Sequence, residues 1–175
     1  YIEYCSKKNY SDKTLLRKIS SIKSMYKYLT NEGIVNYNIA SLITSPKVSK
    51  KIPNYLSEEE VSKLMSLPDL NTIKGNMHRS MLEIFYSTGL RISELVKIKN
   101  IDLDIEKKII KVLGKGRNER IVILGSSASI AIKNYLRVST NSDNIYLYPS
   151  CYNDINHISE SYVYKMVKRY LAKVT

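Results

Sequence analysis

The chain has 175 residues and a formal net charge of +12, from 28 Lys+Arg against 16 Asp+Glu. It has no apolar run long enough to span a membrane, and its polar beginning, Tyr1–Tyr10, is unlike a secretory signal. Cys5 and Cys151 are too far apart for a metal-ligand spacing, so we expect a cytoplasmic protein with reduced thiols. The charge favours nucleic acid as a partner, although a solvated lysine-rich surface would have the same composition.

A long amphipathic helix is predicted from Ser11 to Asn31, with Ser11 or Asp12 as its N-cap and Gly33 beyond its end. Its apolar stripe has helical spacing and consists of Leu15, Ile19, Ile22, Tyr26 and Leu29. The opposite face combines cations with small hydroxyls and consists of Lys13, Arg17, Ser20, Ser24 and Lys27. Because cations bind phosphates and small residues allow close approach, this face is a candidate DNA contact. An ordinary solvated face would show the same pattern.

A basic linker is predicted after this helix. Residues Ile34–Ile43 are expected to form a short helical end of the first domain. The segment TSPKVSKKIPNYL, Thr44–Leu56, has two prolines, three lysines and no periodicity, which is typical of an exposed linker. Its lysines are further candidates for DNA contact: Lys47, Lys50 and Lys51.

Three helices are predicted to follow the linker. Ser57 and Glu60 have the spacing of a capping box, which begins a helix that extends through Leu67. Residues Arg79–Ser87 are expected to form a second helix, which Gly89 ends, and a short third helix comes directly after it.

The pattern changes after Asn100, where the β-branched runs IDLDI, KIIKVL and RIVIL predict short strands with GKGRNE as the last turn. Helix returns in Ser126–Val138, IYLYPS is a short extended piece, and Ser159–Lys173 is a final amphipathic helix. The predicted fold class is mainly α with a small antiparallel β-sheet.

Several common chemistries lack the residues that they need. The chain has no P-loop and no dinucleotide fingerprint. His78 and His157 are isolated from each other and from cysteines, so we expect no metal site and a structural or surface role for each histidine. Asp102 and Asp104 have strand spacing, but the adjacent lysines favour a solvated strand end over a metal pair. No cofactor is expected.

Arg91 and Lys115 are the candidate reactive cations. Arg91 follows Gly89 at a predicted helix start, and Glu94 lies three residues later. This setting suits a guanidinium that makes two parallel hydrogen bonds to a phosphate. Lys115 lies between two glycines on a hairpin tip, where it could reach a groove and donate a proton. A salt bridge for Arg91 and a solvent-exposed turn lysine for Lys115 are the alternatives.

Two motifs in this region carry a family resemblance. The stretch YSTGLRISELVKIKNIDLD, followed by KIIKVLGKGRNERIVIL, resembles the first active-site box and β-hairpin of tyrosine recombinases of the phage integrase type, above all the bacterial Xer proteins. The upstream stretch TLLRKISSIKSMYKYLTNEGIVNYNIASLITSPKVSKKIPNYLSEEEV resembles their helical DNA-clamping domain, linker and start of the catalytic domain. The resemblance implies a partial SAM-like core-binding domain at residues 1–44, a linker at 45–56 and a partial α+β catalytic domain at 57–175.

The resemblance also implies roles for single residues. Arg91 would be the first catalytic arginine, Glu94 a support residue, and Lys115 the hairpin lysine that protonates the leaving 5′ oxygen. Arg117 would be a further DNA contact. The implied reaction needs no metal and no nucleotide: a tyrosine attacks the phosphodiester and forms a 3′-phosphotyrosine. The implied partners are double-stranded DNA and other protomers, as a tetramer on two DNA sites.

The second half of such a site is missing from this sequence. Neither histidine has an arginine three residues later, as the H-x-x-R box of the family requires, and no tyrosine has the context of the nucleophile. We therefore expect a chain that is trimmed at both ends and that binds DNA without cleaving it. A non-catalytic DNA-binding regulator and a basic protein-interaction module are the alternatives. The target sequence, and the choice between chromosome-dimer resolution and mobile-element integration, stay open.

Overall fold

The computed structural model describes residues 1–47, 55–114, 118–139, 144–150 and 157–174. The chain divides into two compact units, Tyr1–Asn54 and Tyr55–Thr175. Its elements are mostly helices, with one three-stranded antiparallel sheet, which confirms the predicted fold class. Within the described ranges, no helix is long and apolar enough to cross a membrane.

The first unit is built on the predicted long helix. This helix, α2, spans Asp12–Asn31, and Ser11 caps it by accepting a hydrogen bond from the backbone N–H of Thr14 at 3.3 Å. Gly33 follows with a φ of 70°, the left-handed conformation that glycine adopts at little cost. On its apolar stripe Ile19 is 1% exposed, and the other four stripe residues are half-buried.

Two features of this unit differ from the predictions. A short helix, α1, spans Ile2–Lys7 and packs on α2 with Cys5 buried, although the polar sequence indicates no element there. The helical end expected over Ile34–Ile43 is only a 3₁₀ helix at Ile39–Leu42. Both pieces are too short to show a periodicity of their own, so packing against α2 rather than local pattern decides their structure.

The second unit begins with two helices. Helix α3 spans Glu58–Ser66, and its predicted capping box is present: the N–H of Ser57 donates to Glu60 Oε2 at 2.8 Å, and the N–H of Glu60 donates to Ser57 Oγ at 3.2 Å. Helix α4 spans Ile73–Thr88 and ends at Gly89 as predicted.

The predicted start of α4, at Arg79, is wrong because the helix begins six residues earlier. Thr72 caps it, since its side chain accepts the N–H of Gly75 at 2.9 Å. A glycine in a helix interior usually argues against the helix. Here the backbone passes so close to Asp69 that a Cβ on Gly75 would lie 1.8 Å from the Asp69 carbonyl oxygen. Glycine is therefore required at this helix start by close packing.

The sheet and the remaining helices complete the second unit. After the short helix α5, Ile92–Leu95, come strands β1 (Leu103–Asp104), β2 (Ile109–Leu113) and β3 (Glu119–Ile123), in the order β1-β2-β3. Helices α6, Ser126–Val138, and α7, Glu160–Leu171, follow close to the predicted bounds. The core contains Met81, Ile84, Leu95, Ile110, Ile132 and Val163, none of which is exposed.

His78 is a structural residue that joins α4 to α7. It is 4% exposed, and its Nδ1 and Nε2 lie 3.0 Å and 2.8 Å from the hydroxyl oxygens of Tyr170 and Tyr162. A neutral imidazole donates at one nitrogen and accepts at the other, which suits two hydroxyl partners. Burial, together with the positive charges of Lys74 and Arg169, lowers the pKa of His78 to about 4. The expected structural role therefore fits a buried, neutral histidine.

Candidate active site around Arg91

Arg91 lies at the junction between α4 and α5. Gly89 ends α4 in the left-handed conformation, with a φ of 62°, and Leu90 is buried at 5% exposure. Arg91 then takes the N-cap position of α5, so its backbone turns inward while its side chain remains 73% exposed. The predicted helix start is therefore present, and it directs a guanidinium into solvent.

Glu94 is the buried acid behind Arg91. Its side chain is 4% exposed, and its Oε2 accepts the backbone N–H of Arg91 at 2.9 Å. Its Oε1 accepts Nη1 of Arg91 at 3.2 Å. The same carboxylate thus bonds both the backbone and the side chain of Arg91, and the support role of Glu94 stays a prediction.

Arg120 is a site residue that sequence reasoning missed. It lies on β3 opposite Val112, and its Nη1 and Nη2 each lie 2.9 Å from a different oxygen of Glu94. The hydrogen bond from Arg120 is the largest cause that lowers the pKa of Glu94 to about 2, and the bonds from Arg91 act in the same direction. Glu94 in turn raises the pKa of Arg120. The available sequence signal was an acid, Glu94, within the apolar helical run ISELV, because an acid that is buried there needs a cationic partner.

The hairpin between β2 and β3 leads toward this cluster. Lys115 and Arg117 lie outside the described residues, but Gly114 and Asn118 on either side of them are joined by a backbone hydrogen bond of 2.8 Å. A Cβ on Gly114 would lie 4.0 Å from Oε1 of Glu94. Strand β2 therefore brings Gly114, at one end of the hairpin tip, next to the carboxylate that holds Arg91.

The predicted DNA-contacting face of α2 is exposed along its whole length. Lys13, Arg17, Ser20, Ser24 and Lys27 all lie on the surface of the first unit. Lys47 is exposed as well, whereas Lys50 and Lys51 lie outside the described residues. Contact of this face with DNA stays a prediction.

Among the described residues, the acidic and histidine side chains do not assemble into a metal site. Within the described part of the chain, no group of three His, Cys, Asp or Glu residues is placed to hold an ion. Asp102 lies in a 3₁₀ helix, and Asp104 on β1 pairs with Lys107, whose backbone N–H and Nζ lie 2.9 Å and 3.2 Å from its carboxylate oxygens. That pairing lowers the pKa of Asp104.

Comparison with known proteins places this site in a family. Residues 54–175 match the phage integrase family. The tyrosine recombinase XerC of Pelotomaculum thermopropionicum is 35% identical to this chain and is matched over 100% of this chain and 60% of its own length. The crystal structure of XerA recombinase matches with a TM-score of 0.59 and 31% identity, over 96% of this chain and 57% of that one.

The fold also matches a more distant protein. The Tn1549 transposon integrase, solved in complex with circular intermediate DNA, has a TM-score of 0.69 and 17% identity, over 98% of this chain and 62% of that one. The chain spans about half the length of the curated relatives it matches, with 44% for a XerC protein of Thermodesulfovibrio yellowstonii. The resemblance inferred from the two motifs is confirmed: the chain belongs to the phage integrase family, and its curated relatives are tyrosine recombinases of the Xer type.

Proposed function

We propose that this chain is part of a site-specific DNA recombinase that acts on double-stranded DNA in the cytoplasm. The full-length protein would cleave and rejoin strands through a 3′-phosphotyrosine, as a tetramer on two DNA sites. The observation that carries the proposal is that Arg91 is held by Glu94 while its guanidinium is exposed. A buried carboxylate anchors it from behind, and 73% of its side chain faces solvent. A guanidinium held in this way is oriented before it meets a phosphate.

The chemical task of the site is to stabilise charge on a phosphoryl group. In phosphoryl transfer, negative charge spreads over the non-bridging oxygens, and preorganised cations lower the barrier more than flexible ones. Arg91 would contact these oxygens. Lys115, which follows Gly114 in the sequence, would donate a proton to the leaving 5′ oxygen. Arg117, two residues after Lys115, would add a contact to the DNA backbone.

The first unit would add sequence-independent affinity. The cationic residues of the exposed α2 face, Lys13, Arg17 and Lys27, would contact phosphates, and Ser20 and Ser24 would allow close approach to a groove. Lys47, Lys50 and Lys51 would extend this basic surface along the linker. The formal charge of +12 supports binding of this kind.

Salt-dependent DNA binding tests the proposal. The fluorescence anisotropy of a labelled duplex, titrated with the chain between about 50 and 200 mM salt, should show log affinity falling linearly with log salt. Arg91→Gln should reduce the slope by about 0.9, the loss of one phosphate contact. Lys107→Gln is the matched control, because Lys107 is also an exposed cation in an i,i+3 ion pair, 76% exposed against 73%.

Two results would overturn parts of the proposal. If Arg91→Gln and Lys107→Gln gave the same slope of log affinity against log salt, the proposed contact between Arg91 and a phosphate would be refuted. On a nicked duplex that traps covalent intermediates, we expect these 175 residues to form no protein–DNA adduct, because they lack the H-x-x-R box and the nucleophile context. A covalent adduct would show that they contain a working nucleophile.

A further inference from the structure

The two arginines that contact Glu94 hold it unequally. Arg120 makes two hydrogen bonds, each of 2.9 Å, to the two carboxylate oxygens. The Arg91 side chain makes one contact, at 3.2 Å to Oε1. We propose that Arg120 is a positioning residue that occupies Glu94 and thereby leaves the guanidinium of Arg91 available for a DNA phosphate. This inference rests on the proposed role of Arg91.

The acceptor capacity of Glu94 supports this assignment. A carboxylate has two oxygens and about four lone-pair sites. Glu94 accepts four hydrogen bonds: the backbone N–H and Nη1 of Arg91, and Nη1 and Nη2 of Arg120. Removal of Arg120 would empty two of these sites on a side chain that is 4% exposed. A buried charge left unpaired is costly, so Arg91 would turn inward to form the second bond itself.

The sheet is built so that Arg120 can reach Glu94. Arg120 pairs with Val112 across β2 and β3, and cross-strand partners share one face of a sheet. Val112 is buried at 4% exposure, so Arg120 lies on the same face of the sheet as this core residue, although its own side chain is 43% exposed. Gly114 leaves room for its head group, because a Cβ at this position would lie 3.0 Å from Nη1 of Arg120. Gly114, after β2, and Arg120, on β3, therefore both lie near the carboxylate that holds Arg91.

The neighbouring arginines keep the carboxylate of Glu94 ionised. The hydrogen bond from Arg120 is the main reason that the pKa of Glu94 lies at about 2. The carboxylate is therefore ionised at any pH at which DNA binding is measured. The cluster of Arg91, Glu94 and Arg120 then carries two positive charges and one negative charge. Arg120 neutralises the buried acid, and Arg91 supplies the outward positive charge.

The test uses this chain, a labelled duplex and the salt series described above. Arg120→Gln should reduce the slope of log affinity against log salt by about 0.9, as Arg91→Gln does, because Glu94 captures Arg91. Combining both substitutions should produce no further loss. The decisive variant is the double substitution Glu94→Gln with Arg120→Gln. A neutral amide still accepts the N–H of Arg91 but no longer attracts its guanidinium, so the slope should return toward that of the unsubstituted chain.

Lys111→Gln is the matched control for Arg120. Lys111 lies on β2, the strand that pairs with β3, and its Nζ forms an ion pair of 3.0 Å with Glu119. Both side chains are exposed, so this variant measures the effect of removing one positive charge near Arg120. Its slope should change less than that of Arg120→Gln. Circular dichroism of each variant separates unfolding from loss of contact. Should Arg120→Gln fail to fold, Arg120→Lys replaces it, because lysine keeps the charge but cannot make two parallel bonds.

The outcomes separate this inference from the proposed function. Additive losses for Arg91→Gln and Arg120→Gln would show that Arg120 contacts phosphate itself, which overturns the positioning role. The same conclusion follows if Glu94→Gln fails to rescue Arg120→Gln, or if Arg120→Lys binds as the unsubstituted chain does. A normal slope for Arg91→Gln would instead refute the proposed role of Arg91.

Discussion

Glu94 is predicted to make the stability of this protein depend on pH in the acid range. Its pKa falls from an ordinary value of 4.5 to about 2 because Arg120 and Arg91 donate to the charged form. Between these two values the unfolded chain binds the proton more readily than the folded chain. The stabilisation is therefore present above about pH 4.5 and is lost as the pH falls through about 2. The substitution that removes it is Glu94→Gln.

The magnitude follows from the pKa and from the exposure of the partners. A fall from 4.5 to about 2 corresponds to roughly 3 kcal/mol at full strength, because one pKa unit is about 1.4 kcal/mol. The two guanidinium side chains are 73% and 43% exposed, and solvent weakens ion pairs in such settings. We therefore expect Glu94→Gln to lower the free energy of unfolding by about 1–2 kcal/mol at neutral pH.

Urea denaturation followed by circular dichroism measures this free energy at each pH. The difference between the unsubstituted chain and Glu94→Gln should be constant from pH 7 to about pH 5 and should shrink steadily below the ordinary pKa of 4.5. Glu119→Gln is the control, because it removes an exposed carboxylate paired with Lys111 and should have little effect. A difference for Glu94→Gln that does not change between pH 6 and pH 3 would refute the assigned pKa and its cause.

Two further predictions concern the packing of α4. Replacing His78 with Leu leaves the hydroxyls of Tyr162 and Tyr170 without their ring-nitrogen partner and should lower the free energy of unfolding by about 1–3 kcal/mol. Because the pKa of His78 lies at about 4, below its ordinary 6.5, stability should also fall as the pH drops through this window, and His78→Leu should abolish that part of the pH dependence. Gly75→Ala places a Cβ 1.8 Å from the carbonyl oxygen of Asp69 and should cost about 1–3 kcal/mol or more, which a lowered urea midpoint would show. An unchanged midpoint for Gly75→Ala would contradict the close approach of the chain at this helix start.

Features that depend on nearby residues could be predicted from the sequence. The predicted N-caps Ser11 and Ser57 are confirmed, because each accepts a hydrogen bond from a backbone N–H only three residues later. The antiparallel sheet was predictable for the same reason, since strand composition and a glycine-flanked turn are local signals. Arg91 and Glu94 could be paired because they are three residues apart on one short helix.

Features that depend on distant residues could not be predicted in this way. The start of α4 was predicted at Arg79 and lies at Ile73, and only the nearby Asp69 carbonyl oxygen explains why a glycine is required at position 75. Arg120 lies 26 residues from Glu94, so its partner is set by strand register and not by sequence spacing. Arg120 is part of the motif in the sequence, but the face of the sheet on which it lies follows only from the pairing of β3 with β2.

A buried acid at the proposed phosphate site needs a physical reason. An exposed carboxylate would repel a phosphate, but Glu94 is 4% exposed and faces two guanidiniums, so the outward charge is that of Arg91. A free arginine side chain would lose rotamer entropy of about 0.5–1.5 kcal/mol when a phosphate fixes it. Glu94 restricts Arg91 beforehand through its backbone N–H and one side-chain contact. A second hydrogen bond from the Arg91 guanidinium to Glu94 would neutralise the outward positive charge. In the proposed arrangement Arg120 prevents this, because it bonds both oxygens of the carboxylate. In the proposed site, the acid would therefore orient the cation that contacts phosphate without neutralising it.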